Sequence, residues 1–486
     1  MPISLDDSKI NYDSPEYEEM LNDLQGNILK GHGRDYNVSI VLRFKTNQKT
    51  KAAEFIRTLA ENTITSTKRQ LQQIADYRSR RIRGQLFANL CLSYKGYQFF
   101  GYSQDQIPAD PRFRAGMKQV GQILNDPDPS QWEAPYQNDS HAIVLLANDS
   151  ELTLQGQARQ ILQRVKENDI ADILTVEYGV ALKNEADEPI EHFGYVDGIS
   201  QPLFFKQDID RTKRDSGLNE YDDFSRFDST ASLGLVLVRD PNGRSADSFG
   251  SYMVFRKLEQ NVRGFKEELE RLADALGLKG ETARDRAGAM VIGRFEDGTP
   301  LITQELDGGT YSNDFNYAGE NGAKCPFHAH IRKTNPRGET VVQDFRYDEA
   351  ALYQEERAHR IVRRGITYGK RNVEPYENPL PEECPTAGVG VLFMCFQSDI
   401  AKQFEFIQIQ MSNNSEFPRP STGIDPLIGQ GQASSSQSWP QEWGKPESIQ
   451  FDFTRCVTLK GGEYFFMPSI SFLKTISTAT PQEPVY

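Results

Sequence analysis

Short apolar runs followed by amphipathic stretches recur four times along the chain. Residues 38–44 (VSIVLRF) are apolar and β-branched, and 50–62 then carry apolar residues at helical spacing. Residues 141–147 (HAIVLLA) precede a helical pattern over 152–167, residues 250–258 (GSYMVFRKL) precede one over 262–276, and residues 389–396 (VGVLFMCF) precede one over 398–411. Runs this short fit a buried strand or a buried helix equally by periodicity, and the helical pattern behind each decides for strand. Four such units predict two halves of two units each. Strand-helix-strand repeats on an antiparallel sheet give a ferredoxin-like sandwich. The expectation is therefore an α+β chain of duplicated ferredoxin-like domains, antiparallel sheets with helices packed on them. The polar stretch 207–230 sets the boundary: an arm over 1–20, an N-terminal domain over 21–210 and a C-terminal domain over 211–486. Residues 429–445 (GQGQASSSQSWPQEWGK) read as a low-complexity loop, and the first residues of the acidic arm are expected to be poorly ordered.

The 486 residues are enough for two or three domains. Mean hydropathy is −0.61, and no apolar run approaches the ~20 residues of a membrane span. The start, MPISLDDSKINYDSPEYEEM, is acidic and has no apolar core, so neither a signal peptide nor a twin-arginine signal is read there. The expected location is cytoplasmic, with export by another route left open. Cys91, Cys325, Cys384, Cys395 and Cys456 are odd in number and scattered, which does not make a disulfide framework and suits a reducing compartment. A net charge of −14 argues against nucleic acid as a partner and disfavours long-range capture of anionic substrates.

Residues 325–337, CPFHAHIRKTNPR, hold two of the six histidines, one cysteine and several cations. Pro326 and Pro336 bracket the stretch, which predicts a turn, a short strand or one or two helical turns. Three readings stand side by side. Cys325, His328 and His330 could hold zinc, but a tetrahedral site needs a fourth ligand and no partner pair lies nearby. One histidine could be a satisfied core residue beside a solvated basic tail. Or one imidazole could bind a haem iron, which needs a single axial protein ligand, with Arg332 and Arg337 as cations for the propionates.

Three stretches together resemble the dye-decolourising peroxidase family: CPFHAHIRKTNPR over 325–337, GYVDGISQP over 194–202, and HRIVRRGITYG over 359–369. Residues 23–34, DLQGNILKGHGR, are similar to its longer members, and the resemblance runs from about residue 20 to the C-terminal end. Each motif alone is weak, and an isolated Asp-Gly is ordinarily a turn; in the family's order they are specific. The resemblance implies two ferredoxin-like halves with haem b between them, one per chain, held mainly by the C-terminal half. It implies a peroxidase that reduces hydrogen peroxide while oxidising dyes and phenolic or other aromatic donors. The alternative is a haem-binding or haem-trafficking protein without turnover, which would need neither Asp197 nor Arg363.

Residue by residue, the resemblance puts His330 on the iron, Asp197 in the role of distal acid–base and Arg363 in that of distal cation. An unperturbed Asp has a pKa of about 3.9, so it stays an ionised base in mildly acid solution and turnover is expected to be best below neutrality. A carboxylate on the other ring nitrogen would raise the basicity of His330; Asp425 is the candidate and Glu463 the runner-up. Gly194 and Gly198 permit close approach to a flat ligand, and Gly198 and Ile199 are counted as cofactor-binding. Leu392 and Met394 alternate along one strand as candidate pocket wall, with ordinary core an equal reading. Arg337 is the better propionate candidate and Arg332 the second, and Arg294 is a candidate for the haem edge. Thr367 stands where proline is common in the family, with a local backbone effect expected. Trp132, Trp439, Trp443 and Tyr368 are candidate electron relays for donors too bulky to enter, although most aromatics are packing.

Overall fold

In a computed structural model, the structure describes residues 2–215, 229–280, 282–308, 313–317, 319–340, 349–377, 379–431 and 437–477. Eight of its strands are β1 (Tyr36–Phe44), β2 (Phe87–Ser93), β3 (Ala142–Asn148), β4 (Ala171–Val180), β5 (Phe249–Gln260), β6 (Ile366–Tyr368), β7 (Gly390–Gln397) and β8 (Val457–Met467). Helices α1 (Lys49–Asn62), α2 (Glu151–Glu167) and α3 (Val262–Ala275) follow β1, β3 and β5, as the apolar and amphipathic pattern predicts. The fourth helix, expected over 398–411, is broken into a short α-helix at Phe404–Phe406 and a π-helix at Ile407–Ser412. Gln403 explains the break. Its Oε1 accepts the backbone N–H of Ser398 and of Asp399, both at 3.0 Å, and its own φ of −114° and ψ of −87° lie outside the helical region, so the regular helix begins only after it.

The strand order of the first half is β2-β3-β1-β4, and the second repeats it as β6-β7-β5-β8. Both are the ferredoxin-like arrangement. The two sheets do not stay separate, however. They join at two antiparallel seams, β2 with β8 and β4 with β6, and β5 pairs with β7, so the eight strands close into one barrel. Closure removes the open edges that two isolated sheets would present. β2 and β3 are buried at every position, with apolar side chains on both faces.

Each seam has its own fastener. Gln25 spans the first, donating from Nε2 to Leu90 O at 2.9 Å and to Pro468 O at 2.8 Å. At the second, β4 and β6 meet at Gly179 and Tyr368. A Cβ on Gly179 would lie 2.5 Å from the Ile366 side chain, so this close approach requires glycine. Thr367 adds a hydroxyl bond to Val180 O and accepts the N–H of Leu182 at 3.3 Å. Its expected local backbone effect is thus a link across the seam.

The N-terminal arm is ordered from its second residue, contrary to expectation. Ile3 and Ile10 are buried, Ile3 N donates to Asp247 Oδ1 at 2.8 Å, and Ile10 N donates to Phe204 O at 3.0 Å. Within the expected loop 429–445, Gln437–Pro440 is a strand paired with Ser448–Phe451, while residues 432–436 lie outside the described residues. In the polar stretch 207–230, Lys206–Asp215 is helical and 216–228 lie outside the described residues.

Candidate active site

His330 opens a five-residue helix, His330–Thr334, that ends just before Pro336. Its Nδ1–H donates to Asp425 Oδ2 at 2.9 Å. Asp425 is fully buried, and its other oxygen accepts the N–H of Leu427 at 2.8 Å and of Ile428 at 3.0 Å. Burial pushes this carboxyl up, but the His330 imidazole and these hydrogen bonds outweigh it and hold it below the usual range. The carboxylate fixes the proton on Nδ1 and leaves Nε2 with its lone pair, on a ring that lines a large cavity. Glu463, the runner-up, is elsewhere: it accepts the N–H of Met117 and of Tyr464, each at 2.9 Å. His328 is buried, set edge-on to Trp439 with ring centroids 4.2 Å apart, and burial pushes its pKa down to about 3, so it is a neutral core residue. Among the described residues no group of three or more His, Cys, Asp or Glu is placed to hold a metal ion.

Asp197 lies on the connection after β4 and lines the same cavity. Its turn is fixed by Val196 N donating to Glu296 O at 3.0 Å and Asp197 N donating to Pro189 O at 2.9 Å. Gly194 and Gly198 sit at φ +108° and +82°, a region that costs a side-chain-bearing residue free energy. Arg363 Nη1 donates to Asp197 Oδ1 at 2.6 Å, and Gly198 N donates to the same oxygen at 2.6 Å. Arg363 stands on a two-residue strand paired with Cys395 and Phe396 of β7, and its own N–H donates to Gln201 Oε1 at 3.0 Å. The two side chains are 33% and 49% exposed and line the cavity rather than the core. Burial raises the Asp197 pKa, but the charge and hydrogen bond of Arg363 prevail and hold it below the usual carboxylate value.

The cavity, about 1840 Å³ counting its open mouth, is also lined by Gly198, Ile199, Ile292, Arg294, Arg337, Val391, Phe393 and Leu427. Arg337 and Arg294 both stack on Phe315, with guanidinium-to-ring distances of 3.9 and 5.3 Å, and both donate to Asn313 Oδ1, at 3.1 and 2.8 Å. Burial pushes their pKa values down to about 9 and about 10, a bias that an anionic ligand group would reverse.

Three expected site residues are corrected. Leu392 and Met394 point into the barrel core, and the wall is made by Val391 and Phe393 of the same strand. Side chains alternate faces along a strand, and both faces of this one are apolar, so the pattern could not choose between them. Arg332 does not line the cavity. It is fully buried between the rings of Tyr317 and Phe327, donates to both oxygens of Glu339 at 2.7 and 2.6 Å, and also bonds Glu320 and Cys325 O. Trp132, Trp439 and Tyr368 are buried, and Trp443 is half-buried beneath the Arg286 guanidinium at 4.2 Å. Asn313 and Phe393 carried no signal: one is an isolated amide in a loop, the other an ordinary strand aromatic.

The residues present fit a haem. One imidazole nitrogen is left for iron, with a buried carboxylate behind it. Two guanidiniums suit propionates, apolar side chains suit the ring, and a carboxylate–guanidinium pair shares the chamber. That donor set in an antiparallel α+β barrel is of the kind a haem peroxidase requires. A family model described as the DyP dimeric alpha+beta barrel domain matches residues 23–180. The sequence is 42% identical over 475 residues to the multifunctional dye peroxidase DyP2 of Amycolatopsis sp., covering 95% of this chain and 97% of that protein. It is 29% identical over 493 residues to the dye-decolorizing peroxidase msp1 of Mycetinis scorodonius, covering 94% of this chain and 87% of that one. The fold matches the DyP-type peroxidase AnaPX of Anabaena sp. with a TM-score of 0.89 at 44% identity, over 97% of this chain and 99% of that one. The chain belongs to the dye-decolourising peroxidase family.

Proposed function

We propose that this protein is a haem peroxidase that reduces hydrogen peroxide and oxidises dyes and phenolic or other aromatic donors one electron at a time. The observation that carries the reading is the 2.6 Å pair of Arg363 and Asp197 on the wall of the cavity that His330 also lines. Storage or transfer of haem would need neither group. The reading extends to one haem b per chain, with His330 as iron ligand, Asp425 behind it, and Arg337 and Arg294 as propionate partners. The C-terminal part, 211–486, supplies these residues, and Asp197, Gly198 and Ile199 come from before the proposed boundary. Five buried free thiols suit a cytoplasmic setting.

Haem, when bound, supplies the electron transfers to peroxide and from the donors. The protein's own part is proton handling and charge placement. Asp197, kept ionised by Arg363, takes a proton from one peroxide oxygen and returns it to the other as the O–O bond breaks. Arg363 is fixed by Gln201 and by β7, so its guanidinium is in place to stabilise negative charge on the departing oxygen. Asp425 holds the His330 ring in one tautomer. The experiment is Asp197→Asn in reconstituted holoprotein, followed by stopped-flow mixing with peroxide. The expected result is an intact resting Soret band and a fall of roughly 10²–10⁴-fold in the peroxide reaction. A parental rate would remove Asp197 from the proton path, and a parent protein inert to peroxide would end the peroxidase reading.

A further inference from the structure

Reduction of peroxide to two waters consumes two protons and two electrons. Asp197 only relocates a proton that peroxide already carries, and it finishes as the carboxylate it started as. Both consumed protons must therefore be brought into the chamber. Asp197 is poorly suited to store them, because Arg363 holds it ionised.

A second carboxylate lines the same cavity. Glu191 sits on the far side of the Asp197 turn, where Glu191 N donates to Tyr195 O at 3.1 Å and Ile190 pairs with Val196. Its Oε2 accepts the N–H of Phe193 at 2.9 Å and a hydrogen bond from Gln260 Nε2, and its Oε1 accepts the N–H of Tyr195 at 3.1 Å. These partners are neutral, and among the described residues no ion pair joins it. The charged and titratable groups around it are Asp197, Tyr195 and His192 of its own turn, and Arg371 beyond β6, whose Nη1 donates to His192 O at 2.5 Å. Behind Gly194 stands Glu296, paired with Lys266 at 3.1 Å. Gln260 Oε1, His192 Nδ1 and Tyr195 Oη are buried and find no protein partner among the described residues, and such atoms are ordinarily satisfied by water.

We propose that Glu191 is the proton reservoir of this chamber, giving its proton through water to the oxygen that still needs it and reloading from solvent after each release, so that it delivers both protons of a turnover in succession. The inference rests on the peroxidase reading. It acts through water and the Asp197 turn, so Glu191 is a supporting residue and does not touch peroxide. Its chemistry is right for holding and releasing a proton. Burial, with the nearby Asp197 charge adding to it, pushes its carboxyl up to about 7 against the backbone and Gln260 hydrogen bonds. The competing role is a cap that merely shapes the turn. Glu191→Gln cannot release a proton, but its single amide oxygen replaces only one of the two accepting oxygens, so Glu191→Asp, which keeps both, serves as the control for the turn.

The test uses reconstituted holoprotein of the parent, Glu191→Gln and Glu191→Asp. Infrared difference spectra should show a protonated-carboxyl band that titrates near pH 7 in the parent and is absent from Glu191→Gln. Stopped-flow with excess donor should show the peroxide step within about twofold of parent. The return to the resting spectrum should be roughly tenfold slower in Glu191→Gln and independent of pH, with a larger solvent isotope effect. Glu191→Asp should keep a pH-dependent return. A parental return rate and pH profile in Glu191→Gln, or no such band in the parent, overturns the proposal and leaves a structural cap. If Glu191→Gln does not take up haemin, the parent's band and the Glu191→Asp profile decide, and a flat profile there also overturns it. A parent that ignores peroxide yet shows the band would instead sink the peroxidase reading.

Discussion

Replacing Asp425 by Asn changes one atom and leaves the buried volume almost unaltered, yet the hydrogen-bond pattern forbids it. One carboxylate oxygen accepts from His330 Nδ1 and the other from the N–H groups of Leu427 and Ile428. Every neighbour is a donor, and an Asn side chain has only one accepting atom. If its oxygen caps Leu427 and Ile428, its NH2 faces Nδ1 and drives the ring proton to Nε2, the nitrogen proposed for iron. If it turns the other way, NH2 faces two backbone N–H groups inside a site with no exposure. Either orientation forfeits a hydrogen bond to a charged acceptor, about 1.5–3 kcal/mol. At about 1.4 kcal/mol per decade, haemin affinity should fall roughly 10–150-fold, in the range expected for loss of an outer partner of a metal-ligating histidine. Soret titration of apoprotein with haemin measures it, with the unfolding midpoint of the apoprotein as a control for stability. An Asn variant that binds haemin within about twofold of parent would refute the idea that Asp425 sets the His330 tautomer.

Three further outcomes follow from the same geometry. Arg363→Leu removes the group that holds Asp197 low against burial; the base form of Asp197 is lost as pH falls through its folded pKa, so the acid limb of the peroxide rate should move to higher pH in a pH–rate profile, and an unmoved limb would refute this. Arg332→Met strands Glu339 in the interior and should cost about 3–5 kcal/mol in urea unfolding of the apoprotein, whereas a loss below about 1 kcal/mol would show the cluster to be dispensable. Leu392→Ala should cost about 2–5 kcal/mol of stability as a core cavity, while Phe393→Ala should instead open the chamber and raise turnover of a bulky organic hydroperoxide relative to hydrogen peroxide; the reverse pattern would return Leu392 to the wall.

Much of this was legible along the chain, and the failures have physical causes. β1, β3, β5 and β7 announced themselves because each is a concentrated apolar run with an amphipathic helix pattern behind it. β2 (FANLCLS) and β8 (VTLKGGEYFFM) have polar or glycine interruptions and no following helix of that kind, and barrel closure is a pairing between distant segments that no local window carries. Asp197, His330 and Arg363 were picked out by the family resemblance of their motifs, because spacing alone does not choose between His328 and His330 and an isolated Asp-Gly reads as a turn. Arg332 was picked for the wrong reason: a cation two residues from His330 is as well placed to tie down its helix as to face the cavity, and only the positions of Glu320 and Glu339 decide between them. Glu191 went unremarked because its carboxyl is made unusual by burial, which no local stretch of sequence displays.

The packing around the barrel gives the proposed site residues outside its main strands fixed neighbours. Asp197 and Asp425 come from connections, His330 opens a five-residue helix, and Arg363 belongs to a strand of two residues. Connections are ordinarily the mobile part of a fold. Here Asp197 is held by its turn beyond β4, and Arg363, three residues before β6, is held by pairing with β7, so the two ends of the 2.6 Å pair come from opposite halves. Slipping the Gly179–Tyr368 seam by one residue would turn every side chain of β6 to the other face, and Thr367 would lose its reach to Val180 O. The distance between the Asp197 carboxylate and the guanidinium is set by the turn bonds to Pro189 O and Glu296 O on one side and by β7 and Gln201 on the other, and Arg364 adds to them by donating to Arg363 O at 2.8 Å and to Asn27 O at 2.7 Å. The glycine-rich segment 23–34 acquires its purpose from that contact: it braces the strand that carries Arg363 from the opposite half of the molecule.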